Sequence, residues 1–178
     1  MRLLIIFCLV LLVSCSQEPP LLLVGDGITY NQNTNEPVTG IVEKFYENGQ
    51  LEEKGNFKDG KLDGLSEDFY ENGQLGWREN YIDGVVEDGL FERFYESGQL
   101  HWRGNFIDGK KDGLHEEFYE NGLLEKRGNF KNGKEDGLHE GFHENGQLWW
   151  KVNHKNGEQE GLHEVFHENG QIDGWKGK

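Results

Sequence analysis

The chain has 178 residues, of which only 34% are hydrophobic, and a formal charge of −15. Acidity on this scale repels phosphate backbones and anionic lipid heads, which argues against nucleic-acid binding and against reading a membrane surface. A basic protein partner or a divalent cation suits the sign, and the charge also keeps an exposed sheet soluble and discourages edge pairing.

The first predicted element is a leader over residues 1–14. Arg2 supplies its positive end, and the apolar run Leu3 to Val13 is too short to span a bilayer but has the length of a signal-peptide core. The run ends Leu12-Val13-Ser14-Cys15, which resembles the bacterial lipobox, so Cys15 is the expected lipid-bearing first residue of the mature chain. Cys8 leaves with the leader, and no disulfide can then form. Residues 15–25 follow as a lipidated cysteine and tether, stiffened at Pro19-Pro20.

Residues 26–178 form one repeat domain. Gly40, Gly64, Gly89, Gly113, Gly137 and Gly161 recur at spacings of 24, 25, 24, 24 and 24 residues. A fixed period of this size means stacked supersecondary units and no single central core. Each unit carries two turn signals. The first contains Gly49, Gly73, Gly98, Gly122, Gly146 or Gly170, usually as Glu-Asn-Gly. The second is Asp59-Gly60, Asp83-Gly84, Asp108-Gly109, Asn132-Gly133 or Asn156-Gly157, pairs that accept the positive φ of a tight hairpin. The runs between are shorter than ten residues and rich in Phe, Tyr and Trp, so the fold class is all-β: an elongated antiparallel meander of six β-hairpins. The one extra residue between Gly84 and Gly89 predicts a longer loop there.

Four apolar rows recur. They are Phe45, Phe69, Phe94, Phe118, Phe142 and Phe166; Leu51, Leu75, Leu100, Leu124, Leu148 and Ile172; Phe57, Tyr81, Phe106 and Phe130, ending in His154; and Ile41, Leu65, Leu90, Leu114, Leu138 and Leu162. A three-residue first turn with its glycine as a bulge puts all four rows on one face. A two-residue turn moves the Phe row to the other face, because a one-residue slip inverts the pleat. The three-residue turn separates apolar from polar more cleanly and is the expected one. Glu43, Glu67, Glu92, Glu116, Glu140 and Glu164 recur opposite Lys54, Arg78, Arg103, Arg127 and Lys151, and such pairs are worth roughly 0.2–1 kcal/mol each in fixing register.

Several residues imitate catalytic or metal chemistry. His139-Glu140-Gly141-Phe142-His143 and His163-Glu164-Val165-Phe166-His167 both match H-E-x-x-H. That chemistry needs a helix; on a strand, residues four apart are separated by about 13 Å. His115, His139 and His163 sit two strands apart, too far to share an ion, and read as exposed strand histidines. The turn carboxylates Asp59 and Asp63, Asp83 and Asp88, and Asp108 and Asp112 suit capping of their own backbone better than calcium, since no EF-hand spacing accompanies them. No nucleophile–base constellation can be assembled. The expectation is a non-enzyme with no cofactor and no metal-ligating set. Tyr70, Trp77, Tyr95, Trp102, Tyr119 and Trp150 are the candidate interaction aromatics, though packing of the sheet accounts for the tryptophans as well.

The recurrent F-Y-E-N-G-Q-L and G-N-F-K-[DN]-G-K segments, with Asp26-Gly27-Ile28-Thr29-Tyr30 as lead-in, resemble the bacterial MORN-repeat variant, and most of all its YwqK-type, antitoxin-like proteins. The resemblance covers about residues 26–178. It implies an elongated antiparallel sheet that binds other proteins, with some members resembling antitoxins or immunity proteins. MORN repeats also accompany phosphoinositide kinases, but this chain has no nucleotide loop. The functional expectation is a lipid-anchored protein-interaction surface in the bacterial envelope, in the outer membrane if two membranes are present. The alternatives are an antitoxin or immunity protein for a neighbouring toxin, and a cell-wall or glycan-binding module.

Overall fold

The computed structural model describes residues 22–25 and 27–176; the leader, Cys15 and Asp26 lie outside the described residues. The elements run β1 (Leu22–Gly25), β2 (Ile28–Asn31), β3 (Glu36–Pro37), β4 (Gly40–Phe45), β5 (Leu51–Lys58), β6 (Lys61–Phe69), β7 (Leu75–Ile82), β8 (Val85–Val86), β9 (Gly89–Phe94), β10 (Leu100–Ile107), β11 (Lys110–Phe118), β12 (Leu124–Lys131), β13 (Lys134–Phe142), β14 (Leu148–Lys155), β15 (Glu158–Phe166) and β16 (Ile172–Lys176). Among the described residues there is no helix. Strands β4 to β16 form one antiparallel 13-stranded sheet in sequence order, with short β8 pairing only β7. Strands β1 to β3 form a separate small sheet that leans on the first tight turn, where the Thr29 amide donates to the Gly60 carbonyl at 2.7 Å. β1 falls within the stretch read as tether.

Both turn chemistries follow from their residues. The first turn is the three-residue one: in the opening copy the Tyr46 amide donates to Gln50, the Gly49 amide donates to Tyr46, and Gly49 has φ +84°. The second is a two-residue turn with both residues at positive φ, as in Asn132 (+50°) and Gly133 (+80°), the backbone that matches strand twist. The Asp side chains reach across copies to cap these turns. Asp63, Asp88, Asp112 and Asp136 accept the amides of Asp83, Asp108, Asn132 and Asn156 at 2.8–3.3 Å, so each turn is pinned by the copy before it.

Two sequence expectations are corrected. The four apolar rows do not share a face. Opposite Phe45 stands Leu51, but opposite Lys44 stands Glu53, so Glu52 is an extra residue in the ladder; the same bulge recurs at Gly76, His101, Glu125, Trp149 and Asp173. One inserted residue inverts the pleat beyond it. The Phe row and the Ile41–Leu162 row therefore lie on one face, and the Phe57–His154 row lies on the other. The extra residue near Gly84 does not lengthen the turn either. Asp83-Gly84 keeps its tight geometry, and the insertion at Glu87-Asp88 divides what is one long strand in β6, β11, β13 and β15 into β8 and β9.

Candidate interaction surface

The face carrying the Phe57–His154 row is built on rings. Phe91, Phe106, His115, Phe130, His139 and His154 stack edge-to-face in succession, with centroids 5.0, 5.2, 5.0, 5.2 and 5.0 Å apart. Two positions per repeat alternate across neighbouring strands to make this ladder, and each such pair adds about 0.5–1.5 kcal/mol beyond its buried area. His115 and His139 are buried, which corrects their reading as exposed strand residues. Each lies over a glycine of the preceding strand: a Cβ on Gly104 or Gly128 would come within 2.0 Å of the ring Nδ1. Each Nε2 lies 2.8–2.9 Å from a main-chain carbonyl, of Asn105 and Asn129 respectively, so in the neutral ring the proton sits on Nε2. His163, the next in the row, lies where the β14–β15 register shifts between Lys151 and Asn153, with Val152 at the repeat position that Gly104 and Gly128 hold, and its buried Nε2 has no partner.

Burial pushes the His115 imidazole below its ordinary 6.5. The unfolded chain then binds a proton that the folded chain refuses, so the stabilisation is complete above about pH 6.5 and shrinks as pH falls toward the depressed folded value. Urea midpoints measured between about pH 8 and pH 5 are expected to fall on acidification, and His115→Phe is expected to flatten that fall.

The opposite face carries charge and exposed aliphatic groups. Glu43, Glu67, Glu92, Glu116, Glu140 and Glu164 alternate with Lys54, Arg78, Arg103, Arg127 and Lys151 across the sheet, in the register expected. Arg103 and Arg127 bind Glu116 and Glu140 at 2.7 Å while stacking on Phe118 and Phe142 at 5.7 and 5.8 Å. Beside this row, Ile41, Leu65, Leu90, Leu114, Leu138 and Leu162 stand 38% to 62% exposed.

The candidate aromatics divide into two groups. The Tyr70, Tyr95 and Tyr119 hydroxyls donate to the carbonyls of Phe94, Phe118 and Phe142 at 2.8, 2.7 and 2.6 Å, tying each hairpin to the next. His143 of the apparent H-E-x-x-H occupies the same position and places Nε2 3.0 Å from the Phe166 carbonyl. Both histidines of that motif are thus committed to main-chain carbonyls on strands. Trp77, Trp102 and Trp150 lie half-buried on the ring face, Trp150 across Gly141 and Trp102 6.1 Å from Phe106.

At the first-turn margin, Asn48, Asn72, Asn121 and Asn145 donate to the carbonyls of Glu71, Glu96, Glu144 and Glu168 at 2.6–3.1 Å, so consecutive turns stand in file. This file aligns six exposed carboxylates, those of Glu47, Glu71, Glu96, Glu120, Glu144 and Glu168, none of which is ion-paired among the described residues. Equivalent turns lie two strands apart, so the carboxylates repeat about every 9–10 Å. On the ring face, Glu135, His139 and His154 bring one ligand atom each within 4.8 Å of one another.

These features define a tandem β-hairpin repeat protein whose units touch only their neighbours. The MORN repeat variant family matches it at residues 38–59, 62–75, 87–108, 111–132, 135–156 and 159–174, more than half of the chain. The chain belongs to that family, with six repeats, and MORN repeats generally mediate protein or membrane interactions. Comparison with curated proteins returns no match.

Proposed function

We propose that the chain is a non-enzymatic interaction module, held at a bacterial envelope through lipid on Cys15, whose partner is a protein with a basic surface. The observation that carries this reading is the file of six free carboxylates along one margin, added to a net charge of −15. An unpaired row of one sign steers and registers a partner of the other sign, and it repels anionic membrane. The exposed aliphatic row on the sheet supplies apolar area for the same contact.

The test is recovery of partners from envelope extract on the immobilised chain. The wild type should retain a basic protein, with affinity that falls as salt rises. A variant with Glu47, Glu71, Glu96, Glu120, Glu144 and Glu168 changed to Lys should lose it by tenfold or more. Equal or empty recovery from both contradicts the reading. Capture of a toxic enzyme would make the module an antitoxin or immunity protein. Pelleting with purified cell wall, relieved by soluble sugar, would replace the protein partner with a glycan.

A further inference from the structure

We propose that Glu135, His139 and His154 form a binding site for one divalent transition-metal ion, zinc above all. Glu135 and His139 are four apart on β13, a spacing that an ordinary strand holds too wide for shared ligation. Here the strand is kinked at Gly137 (φ +118°): Glu135 stands opposite Phe130 and His139 opposite Gly128, so four residues of β13 span only two of β12. The contraction brings the Glu135 carboxylate to 3.8 Å from His139 Nδ1 and 3.2 Å from His154 Nε2. Donor atoms around a tetrahedral zinc ion lie roughly 3.3 Å apart, given bonds of about 2.0–2.2 Å. All three donor atoms lie within 4.8 Å of one another, so closing the set takes side-chain movement of about 1.5 Å at most.

The chemistry of the donors points the same way. The Asn129 carbonyl holds the His139 proton on Nε2, which leaves a lone pair on Nδ1 facing a carboxylate. Two acceptors face each other there, and a cation between them satisfies both. The carbonyl also fixes the ring as an outer-shell partner does in known sites. His154 stacks on His139 at 5.0 Å and turns its Nε2 to the same carboxylate. Two imidazoles and one carboxylate select zinc and its neighbours over calcium or magnesium, and leave a fourth position for water or a partner's ligand. The preceding copy places Lys111, His115 and Phe130 at the same three positions, with the Lys111 ammonium 4.9 Å from the Phe130 ring centroid. That triad has the same backbone and no ligand set, so it is an internal control.

The test is calorimetric titration of zinc chloride into the full, untagged chain in detergent after stripping with EDTA. One ion per chain is expected. Glu135→Gln and His154→Phe should each weaken binding by at least about tenfold, the loss typical of even an outer-shell change. His115→Phe should leave binding unchanged. His154→Phe installs the residue found at Phe106 and Phe130, so its fold is preserved, and far-UV circular dichroism verifies this. Absence of binding, or binding that survives both substitutions, overturns the assignment.

Discussion

Gly104→Val is expected to lower stability by about 2–4 kcal/mol and the thermal midpoint by roughly 5–15 °C. The His115 ring occupies the space above this glycine, and the contact at 2.0 Å is with the ring itself, which has no flexible end to swing away. A Cβ drives the imidazole out. That costs the Nε2 bond to Asn105, leaving the carbonyl under-satisfied, and two edge-to-face contacts, with Phe106 and Phe130. Intrinsic strand propensity would favour valine over glycine, so propensity and packing predict opposite signs. The chain contains the comparison already: Val152 stands at the repeat position of Gly104 and Gly128, and His163 lacks the bond that its counterparts make. Val152→Gly should therefore protect the Asn153 region in hydrogen exchange, and Gly104→Val should deprotect the Asn105 region.

Phe106→Ala is expected to cost about 2–4 kcal/mol, below the full range for a buried phenylalanine because this ring is half-buried. Phe106 touches Phe91, Trp102 and His115, one ring more than its equivalent Phe130 touches. Its loss parts the stack where the sheet is already weakened by the division between β8 and β9. Local opening should spread into β9 and β10 while β12 to β14 keep their protection. Chemical denaturation of Gly104→Val, Phe106→Ala and the double variant should show a coupling of 0.5–3 kcal/mol in the cycle, on the order seen for residues in contact. Simple additivity would mean that the rings do not act as one stack.

Much of this was legible in the residues. The period, both turns and the Glu–Arg register follow from glycine positions, Asn-Gly chemistry and alternation. The facing of the rows was not, because the bulge that inverts the pleat falls on Glu52, Gly76, His101, Glu125, Trp149 and Asp173, which share no chemistry. The histidine row was misjudged by residue type. The same position holds Val42, Ser66 and Phe91 in other copies, and glycines at 55, 104 and 128 stand opposite; together these mark a buried site. The Glu135–His139–His154 grouping was hidden for a related reason. Strand spacing excludes it unless Gly137 is recognised as a contraction in the ladder rather than the first residue of a unit.

The central claim is that stability is a sum over neighbouring hairpins with no core shared by all. Excision of residues 113–136 joins Asp112 to Gly137 and so rebuilds every junction of the repeat. The shortened chain should unfold cooperatively, keep its strand signature in circular dichroism, and show a denaturant slope reduced by roughly one repeat's share of the surface exposed. Excision of residues 113–124, half a period, should abolish folding. Loss of folding in the whole-period deletion would contradict the account.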